Sequence, residues 1–497
     1  MSVVLAIDAG TTGVRTLGVD EHGVVRHHAY REFPQYFPRP GWVEHDPVEI
    51  LDATITTLAE VVAAVEHAAT TVAAIGITNQ RETTIVWDRT TGQPRHRAIV
   101  WQDRRTAERC EQLRDEGHEP LIRSRTGLVL DPYFSATKLE WILGEGGVER
   151  DANLAFGTVD TWLTWCLSGG PDGGAHVTDP SNASRTLLYD IDQLAWSAEL
   201  TDLFGVPPAC LPAVLPSSGR FGETVPDRAA GLRVPISGIA GDQGAALFGQ
   251  ACVEPGMTKN TYGTGSFVLM NLGSSHPPPT EGLLTSVAWI LSGEVTYALE
   301  GAVFVTGAAI QWLRDGLGII GEAAETGPLA ASVADTGGVV FVPALSGLGS
   351  PWWDPYARGT VLGITRGTTR AHLARAVVEA MAWQTRDVVD AMTEAAGRPV
   401  AELRVDGGAS VMDLLCQLQA DILGVPVRRA AVQETTALGA AFLAGLGVGV
   451  WSDPSEVGAR WSADAAFEPA MATAEVEAGH RQWLRAVDRS RGWARER

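Results

Sequence analysis

The sequence predicts an α/β protein built as two related halves, each a mixed sheet flanked by helices, with a cleft between them. Three observations predict it. Strand-type apolar runs are interspersed with amphipathic helical patterns along all 497 residues, the mixture that gives mixed sheets covered by helices. A glycine- and threonine-rich turn between strand-like runs appears at Ile7-Asp-Ala-Gly-Thr-Thr-Gly13 and is echoed at Asn260-Thr-Tyr-Gly-Thr-Gly-Ser266. The length suffices for two cores, and the boundary is predicted near residue 250, giving units 1–250 and 251–497.

In the first unit, strands are predicted at 3–7, 14–19, 72–77, 84–87 and 235–240, with helices at about 47–69, 103–116, 136–144 and 159–168. In the second, strands are predicted at 266–271, 295–299, 339–343 and 402–406, with helices at about 305–315, 370–396, 411–423 and 434–446. Two domains meeting at a cleft are a usual home for a small-molecule site.

The composition excludes several function classes. A net charge of −21 argues against nucleic acid, which needs a basic footprint. The N-terminus opens on strand-like sequence with no basic leader, which predicts a cytoplasmic protein. The longest apolar stretch, Ala437 to Trp451, is too short to insert into a membrane. The five cysteines are scattered, without a C-x-x-C pair, and are expected to be reduced and buried. Only two lysines occur, Lys138 and Lys259. Neither follows a G-x-x-x-x-G sequence, so no P-loop is present, and the lysine and H-R-D loop of protein kinases are missing too. Any ATP must be held by hairpin loops.

Three loops could do so. In the first, Val3 to Ile7 delivers Asp8 into a turn whose N–H groups and two hydroxyls, Thr11 and Thr12, suit phosphate oxygens. Asp8 is placed to hold Mg²⁺, directly or through water, and Arg15 opens the strand that leaves the turn. The second is Tyr262-Gly-Thr-Gly-Ser266. The third is Leu403-Arg-Val-Asp-Gly-Gly-Ala409, a strand ending in two glycines before a helix. Each alone reads equally as a tight turn; three in this order, without a P-loop, point to a nucleotide.

Other segments suggest an acceptor site. Arg81 and Glu82 stand side by side between apolar segments, where they could donate to and accept from a polyol. Trp101 and Tyr133 are aromatics beside polar runs, read either as core or as an apolar wall. Asp242 follows a strand and enters a helix, read either as a proton acceptor or as an N-cap.

Together these segments resemble the FGGY carbohydrate kinase family, within the hexokinase–actin–chaperone ATPase superfamily. Pro40-Gly-Trp-Val-Glu-His-Asp-Pro47, Thr126-Gly-Leu-Val-Leu-Asp-Pro-Tyr133, Gly238-Ile-Ala-Gly-Asp-Gln243 and Asp354-Pro-Tyr-Ala-Arg-Gly359 carry the resemblance almost end to end. It implies two ribonuclease H-like domains, and the segments around Arg81-Glu82 and Trp101-Gln102 look like the glycerol branch. It implies Mg-ATP as phosphoryl donor and glycerol as acceptor. Arg81, Glu82, Tyr133, Asp242 and Gln243 match acceptor contacts, Trp101 and Phe267 the apolar wall, and Asp242 the general base. Thr11, Thr12, Gly13 and Arg15 match the first phosphate loop, and Asp8 the Mg²⁺-linked carboxylate. Thr264, Gly307, Gln311, Gly408 and Met412 fall at further ATP contacts. Ala9, Gly13 and Met412 depart from the family's usual Gln, Ser and Asn. The resemblance also implies a homodimer or homotetramer. Two rival readings remain open at this stage: a kinase of the same family for erythritol or a ketopentose, and an actin- or chaperone-like ATPase switch.

Overall fold

The computed structural model describes residues 2–495. Its first sheet grows from the predicted hairpin. Ser2–Ala9 pairs antiparallel with Gly13–Asp20, with Asp8 opposite Arg15. Val25–Glu32 continues the meander. On the other side, Thr71–Asn79 runs parallel to Ser2–Ala9, Pro235–Gly241 runs parallel to Thr71–Asn79, and Ser218–Glu223 closes the edge antiparallel. The central strands are buried on both faces, so they read as unbroken apolar runs.

The second sheet repeats the order. Thr258–Tyr262 and Ser266–Gly273 form the hairpin, and Glu294–Val303 extends it. Leu403–Asp406 and then Val427–Ala430 add in parallel, and Ala463–Phe467 closes the edge antiparallel. Leu284–Leu291 is an extra strand on the hairpin side. The six shared strands match in order and in direction. The echo between the two turns is therefore an echo between two whole sheets.

Several of these strands escaped the sequence. Val25–Glu32 reads VRHHAYRE because it is an edge strand with most side chains in solvent. Thr258–Tyr262, Leu284–Leu291 and Val427–Ala430 were also missed, as was the C-terminal helix Thr473–Ser490. The apolar runs at 84–87 and 339–343 form strands outside the main sheets, as Ile85–Asp88 against Leu154–Gly157 and Val340–Val342 against Thr360–Leu362.

One face of the first sheet packs on the helices Pro47–His67 and Val159–Leu167. The other face is covered by Thr435–Val448, a helix from the second half of the chain. It lies so close that a Cβ on Gly76 would sit 2.2 Å from the Ala440 carbonyl oxygen. It also crosses the helix Asp242–Gly249, where a Cβ on Gly439 would sit 1.9 Å from the Ala245 carbonyl oxygen. The small residues of the 437–451 stretch exist to let backbones approach. Among the described residues no helix is long and apolar enough to cross a membrane. All five cysteines are free and buried.

Candidate functional site between the two sheets

Asp8, Arg81, Asp242, Thr264 and Gly408 lie at or just beyond the C-terminal ends of the central strands of the two sheets. In the first turn, side chains hold the backbone from behind. Gln80 Nε2 donates to the Gly10 carbonyl at 3.0 Å, and Gln35 Nε2 donates to the Thr11 carbonyl at 2.9 Å. His45 links the two amides: its Nε2 lies 2.6 Å from Gln35 Oε1, and its Nδ1 lies 3.3 Å from Gln80 Nε2. That pattern needs a neutral ring, and burial pushes His45 down to about 4. With the carbonyls turned back, the turn offers its hydroxyls and free N–H groups outward. Thr12 is exposed, and Thr11 Oγ1 accepts from Trp101 Nε1 at 2.9 Å.

Gly13 has a local reason. A Cβ there would lie 2.6 Å from the Arg31 carbonyl oxygen and 2.7 Å from the Tyr30 hydroxyl. Nothing in the structure explains Ala9. Arg15 pairs with Glu434 of the second half. Burial pushes Asp8 up to about 7; Arg15 opposes the shift, while Asp242 and Glu434 add to it. Among the described residues no three His, Cys, Asp or Glu side chains form a ready metal site.

The acceptor cluster lies beside this turn. Arg81 and Glu82 follow the end of the Thr71–Asn79 strand, with Glu82 in the left-handed region at φ 62°. They do not form a simple pair. Arg81 forks onto Glu300 at 2.7 and 3.0 Å, while Arg185 Nε donates to Glu82 at 2.6 Å and Arg185 Nη2 to Glu300 at 3.2 Å. Two guanidiniums and two carboxylates thus lock together, as buried charges must. Burial raises Glu300, but Arg185 and Arg81 outweigh it and bring the carboxyl down to about 2.

Asp242 belongs to the same network. Its Oδ1 lies 2.9 Å from Arg81 Nε and takes the Gln243 N–H at 2.7 Å. Its side chain is 32% exposed, against 4% for Arg81 and 0% for Glu300. The N-cap reading fails: Gly241 is the cap and makes no side-chain capping bond. Trp101 and Tyr133 meet edge to face, with ring centroids 5.5 Å apart, and Arg185 lies 5.3 Å from the centre of the Tyr133 ring. Phe267 pairs with Thr261 and Ala302 in the second sheet, two residues from Leu269, which pairs with Lys259 and Glu300. It therefore shares their sheet face. Gln243 Oε1 accepts from Lys259 Nζ.

The second turn faces a different space. Gly307 N–H donates to the Gly263 carbonyl at 3.0 Å and Ala308 N–H to the Thr264 carbonyl at 3.0 Å, tying the turn to the helix Gly307–Gln311. The third loop packs on the second: Gly407 has φ 85°, and a Cβ there would lie 2.5 Å from the Tyr262 carbonyl oxygen. Between them opens a cleft of about 700 Å³. Thr264, Gly307, Gln311, Gly408 and Met412, which the sequence assigned together, all line it. Met412 packs toward Gly327, where a Cβ would stand 3.3 Å from Met412 Cγ.

The sequence missed Arg185, Glu300, Lys259, Glu434 and the supports Gln35, His45 and Gln80. Glu300 and Lys259 did carry a signal: each is a charged residue at a buried position within a strand, and such residues are almost never fully buried unless paired.

Two sheets of one topology, with glycine turns facing a charged pocket and a nucleotide-sized cleft, define a two-domain α/β kinase fold. The chain belongs to the FGGY family of carbohydrate kinases: the family's N-terminal domain matches residues 3–249 and its C-terminal domain residues 258–448. It is 55% identical to glycerol kinase 2 of Thermotoga maritima, over 99% of both chains. It is 56% identical to the glycerol kinase of Trichlorobacter lovleyi, over 99% of this chain and 100% of that one. The crystal structure of Plasmodium falciparum glycerol kinase with ADP superposes with a TM-score of 0.93 at 34% identity, covering 99% of this chain and 98% of the other. A xylulose kinase from Rhodospirillum rubrum shares the fold at a TM-score of 0.87 and 25% identity, over 97% of this chain and 98% of that one.

Proposed function

We propose that this protein transfers the γ-phosphoryl group of ATP to a terminal hydroxyl of glycerol, giving sn-glycerol 3-phosphate. The identity to glycerol kinases over the full length supports the reaction. One observation carries the residue assignment. Asp242 Oδ1 is already engaged by Arg81 and the Gln243 N–H, which leaves Oδ2 of a part-exposed carboxylate free to accept a proton.

In this reading the acceptor lies among Arg81, Glu82, Tyr133 and Gln243, with its carbon edge against Trp101 and Phe267. Asp242 takes the hydroxyl proton as the oxygen attacks the γ-phosphorus in line and ADP leaves. Thr11, Thr12, Gly13 and Arg15 hold the terminal phosphates, and Thr264, Gly307, Gln311, Gly408 and Met412 hold the rest of the nucleotide. Asp8 would hold Mg²⁺, which would supply charge neutralisation at the phosphates. Such transfers depend on positioning and electrostatics. In this reading the first phosphate turn and most acceptor residues belong to the unit 1–250 and the adenine-nucleotide cleft to 251–497. Lys259 and Glu300 reach the acceptor pocket from the second unit. A cytoplasmic homodimer or homotetramer completes the reading; light scattering on the purified protein measures the assembly.

A coupled assay for glycerol 3-phosphate, run with glycerol, erythritol and ketopentoses, is the test. Product that depends on both ATP and glycerol is expected. Faster turnover of another acceptor, or ATP hydrolysis indifferent to any acceptor, overturns the assignment.

A further inference from the structure

The chain keeps two lysines among 38 Lys and Arg residues, and both are fully buried. Each is bonded to a residue of the proposed acceptor site, Lys138 to the Tyr133 carbonyl and Lys259 to the Gln243 side chain. Lys138 Nζ donates to the carbonyls of Tyr133 at 2.6 Å and Phe134 at 2.9 Å. Lys259 Nζ donates to Gln243 Oε1 at 2.5 Å and Thr261 Oγ1 at 2.9 Å. Every other cationic side-chain position in a pocket rich in ion pairs is an arginine, and Arg81 and Arg185 present planar forks to carboxylates there. The two lysines serve where two oxygens converge on one point, which suits a compact ammonium and not a guanidinium.

We infer that Lys259 is a positioning residue for the acceptor, acting through Gln243. An ammonium only donates, so it fixes which end of the Gln243 amide faces it. The oxygen is held by Lys259, and the amide nitrogen is left to donate to a substrate hydroxyl. Without that bond the amide can rotate and present its oxygen. The bond also crosses between the halves: Gln243 lies on the helix Asp242–Gly249 and Lys259 on the strand Thr258–Tyr262. Gln243 is therefore set only when the second sheet is seated against the first. Asp406, Asp242, Glu300 and Arg81 are the charged groups whose fields reach Lys259. None of the three carboxylates replaces Gln243 as its hydrogen-bond partner.

This inference rests on the glycerol reading, and the experiment separates the two. Michaelis constants for glycerol and for ATP, kcat and the melting temperature are measured for wild type, Lys259→Met, Lys259→Arg, Gln243→Ala and the Met/Ala double variant. Losing a charge-assisted bond to a substrate-orienting amide predicts a rise of about tenfold or more in KM for glycerol in Lys259→Met. KM for ATP should stay within about twofold, and Lys259→Arg should not rescue. In the Gln243→Ala background, adding Lys259→Met should change KM for glycerol by less than about twofold, because its route is already gone. An unchanged KM for glycerol, equal rises in both constants, or full additivity overturns the inference. If Lys259→Met does not fold, Lys259→Leu, which likewise has no donor, is scored by the same outcomes. Wild type that makes no glycerol-dependent product instead overturns the glycerol reading itself.

Discussion

The two glycine turns occupy the same place in two sheets of one topology, yet they are held in different ways. The first, residues 10–12, is braced by side chains: Gln80 and Gln35 pull back its carbonyls, and His45 links them. The second, residues 263–265, is braced by backbone, through N–H groups at the start of the helix Gly307–Gln311. The first turn lies beside the Arg81–Glu82–Asp242 cluster and is held by a polar side-chain network. The second lines the cleft of about 700 Å³ and is held by main-chain bonds. One topology thus gives two sites whose difference lies in the loops and not in the sheets.

The sharpest way to break the symmetry is at the ends of the equivalent parallel strands. Asp242 begins the helix after Pro235–Gly241, and Glu434 stands at the N-cap position of the helix that follows Val427–Ala430, without a side-chain capping bond. Asp242→Asn should lower kcat by roughly 10²- to 10⁴-fold with an unchanged melting temperature, as loss of a general base does. Glu434→Gln, which keeps shape and loses only the pair with Arg15, should cost less than about tenfold. Steady-state kinetics on both variants decides it.

Stability comes next. Gly265→Ala places a Cβ 2.3 Å from the Val303 carbonyl oxygen, a backbone atom that can yield only by moving its strand. A loss of about 1–3 kcal/mol is expected in urea unfolding. Gly13→Ala meets the Arg31 carbonyl oxygen at 2.6 Å and should cost less, because Val25–Glu32 is an edge strand. The reverse ranking would mean that the first turn is the more rigid of the two.

Gln80→Ala removes bonds to Gly10 and to His45 at once, and should raise KM for ATP about fivefold, the worth of roughly 1 kcal/mol. Ser266→Ala, which removes only a hydroxyl contact to Thr306 at 2.7 Å behind the second turn, should change it by less than about twofold. Similar effects from both would erase the contrast between side-chain and backbone bracing.

The smallest expected effect is a pH slope. His45 is held at about 4 in the fold by burial, below the ordinary histidine value of 6.5. The unfolded chain therefore binds the extra proton between those values, so stability present above pH 6.5 is lost as pH falls toward 4. His176, also lowered to about 4 by burial, adds to the slope. His45→Gln should reduce the slope of melting temperature against pH in that window, while His176 keeps part of it. An identical slope would place the acid sensitivity elsewhere.

Much of the fold was legible because its signals are local. The hairpin Ser2–Ala9 to Gly13–Asp20 follows from two apolar runs around Gly10 and Gly13. Of the five predicted residues that line the large cleft, Thr264 and Gly408 lie in glycine-rich loops legible locally, whereas Gly307, Gln311 and Met412 came only through the family resemblance. The acceptor pocket was legible only in part. Arg81 and Glu82 stand out as neighbours, but their charges are satisfied by Glu300 and Arg185, and Glu300 lies 219 positions along the chain from Arg81. No local pattern announces a partner that far away. The bracing of the first turn escaped for the same reason, since Gln35, His45 and Gln80 converge only after the strands assemble.

The sequence by itself determined the α/β class, the paired halves, the absence of a lysine cradle and the segments that carry the chemistry, because periodicity and turn residues act over a few positions. Tertiary structure alone decided which charge meets which: that Asp242 is a part-exposed carboxylate with one oxygen engaged and not a helix cap, that Glu300 sits between two arginines, and that a lysine of the second sheet holds Gln243. The reason is physical. A buried charge is tolerable only beside its partners, and those partners are chosen by packing across the halves, not by neighbours along the chain.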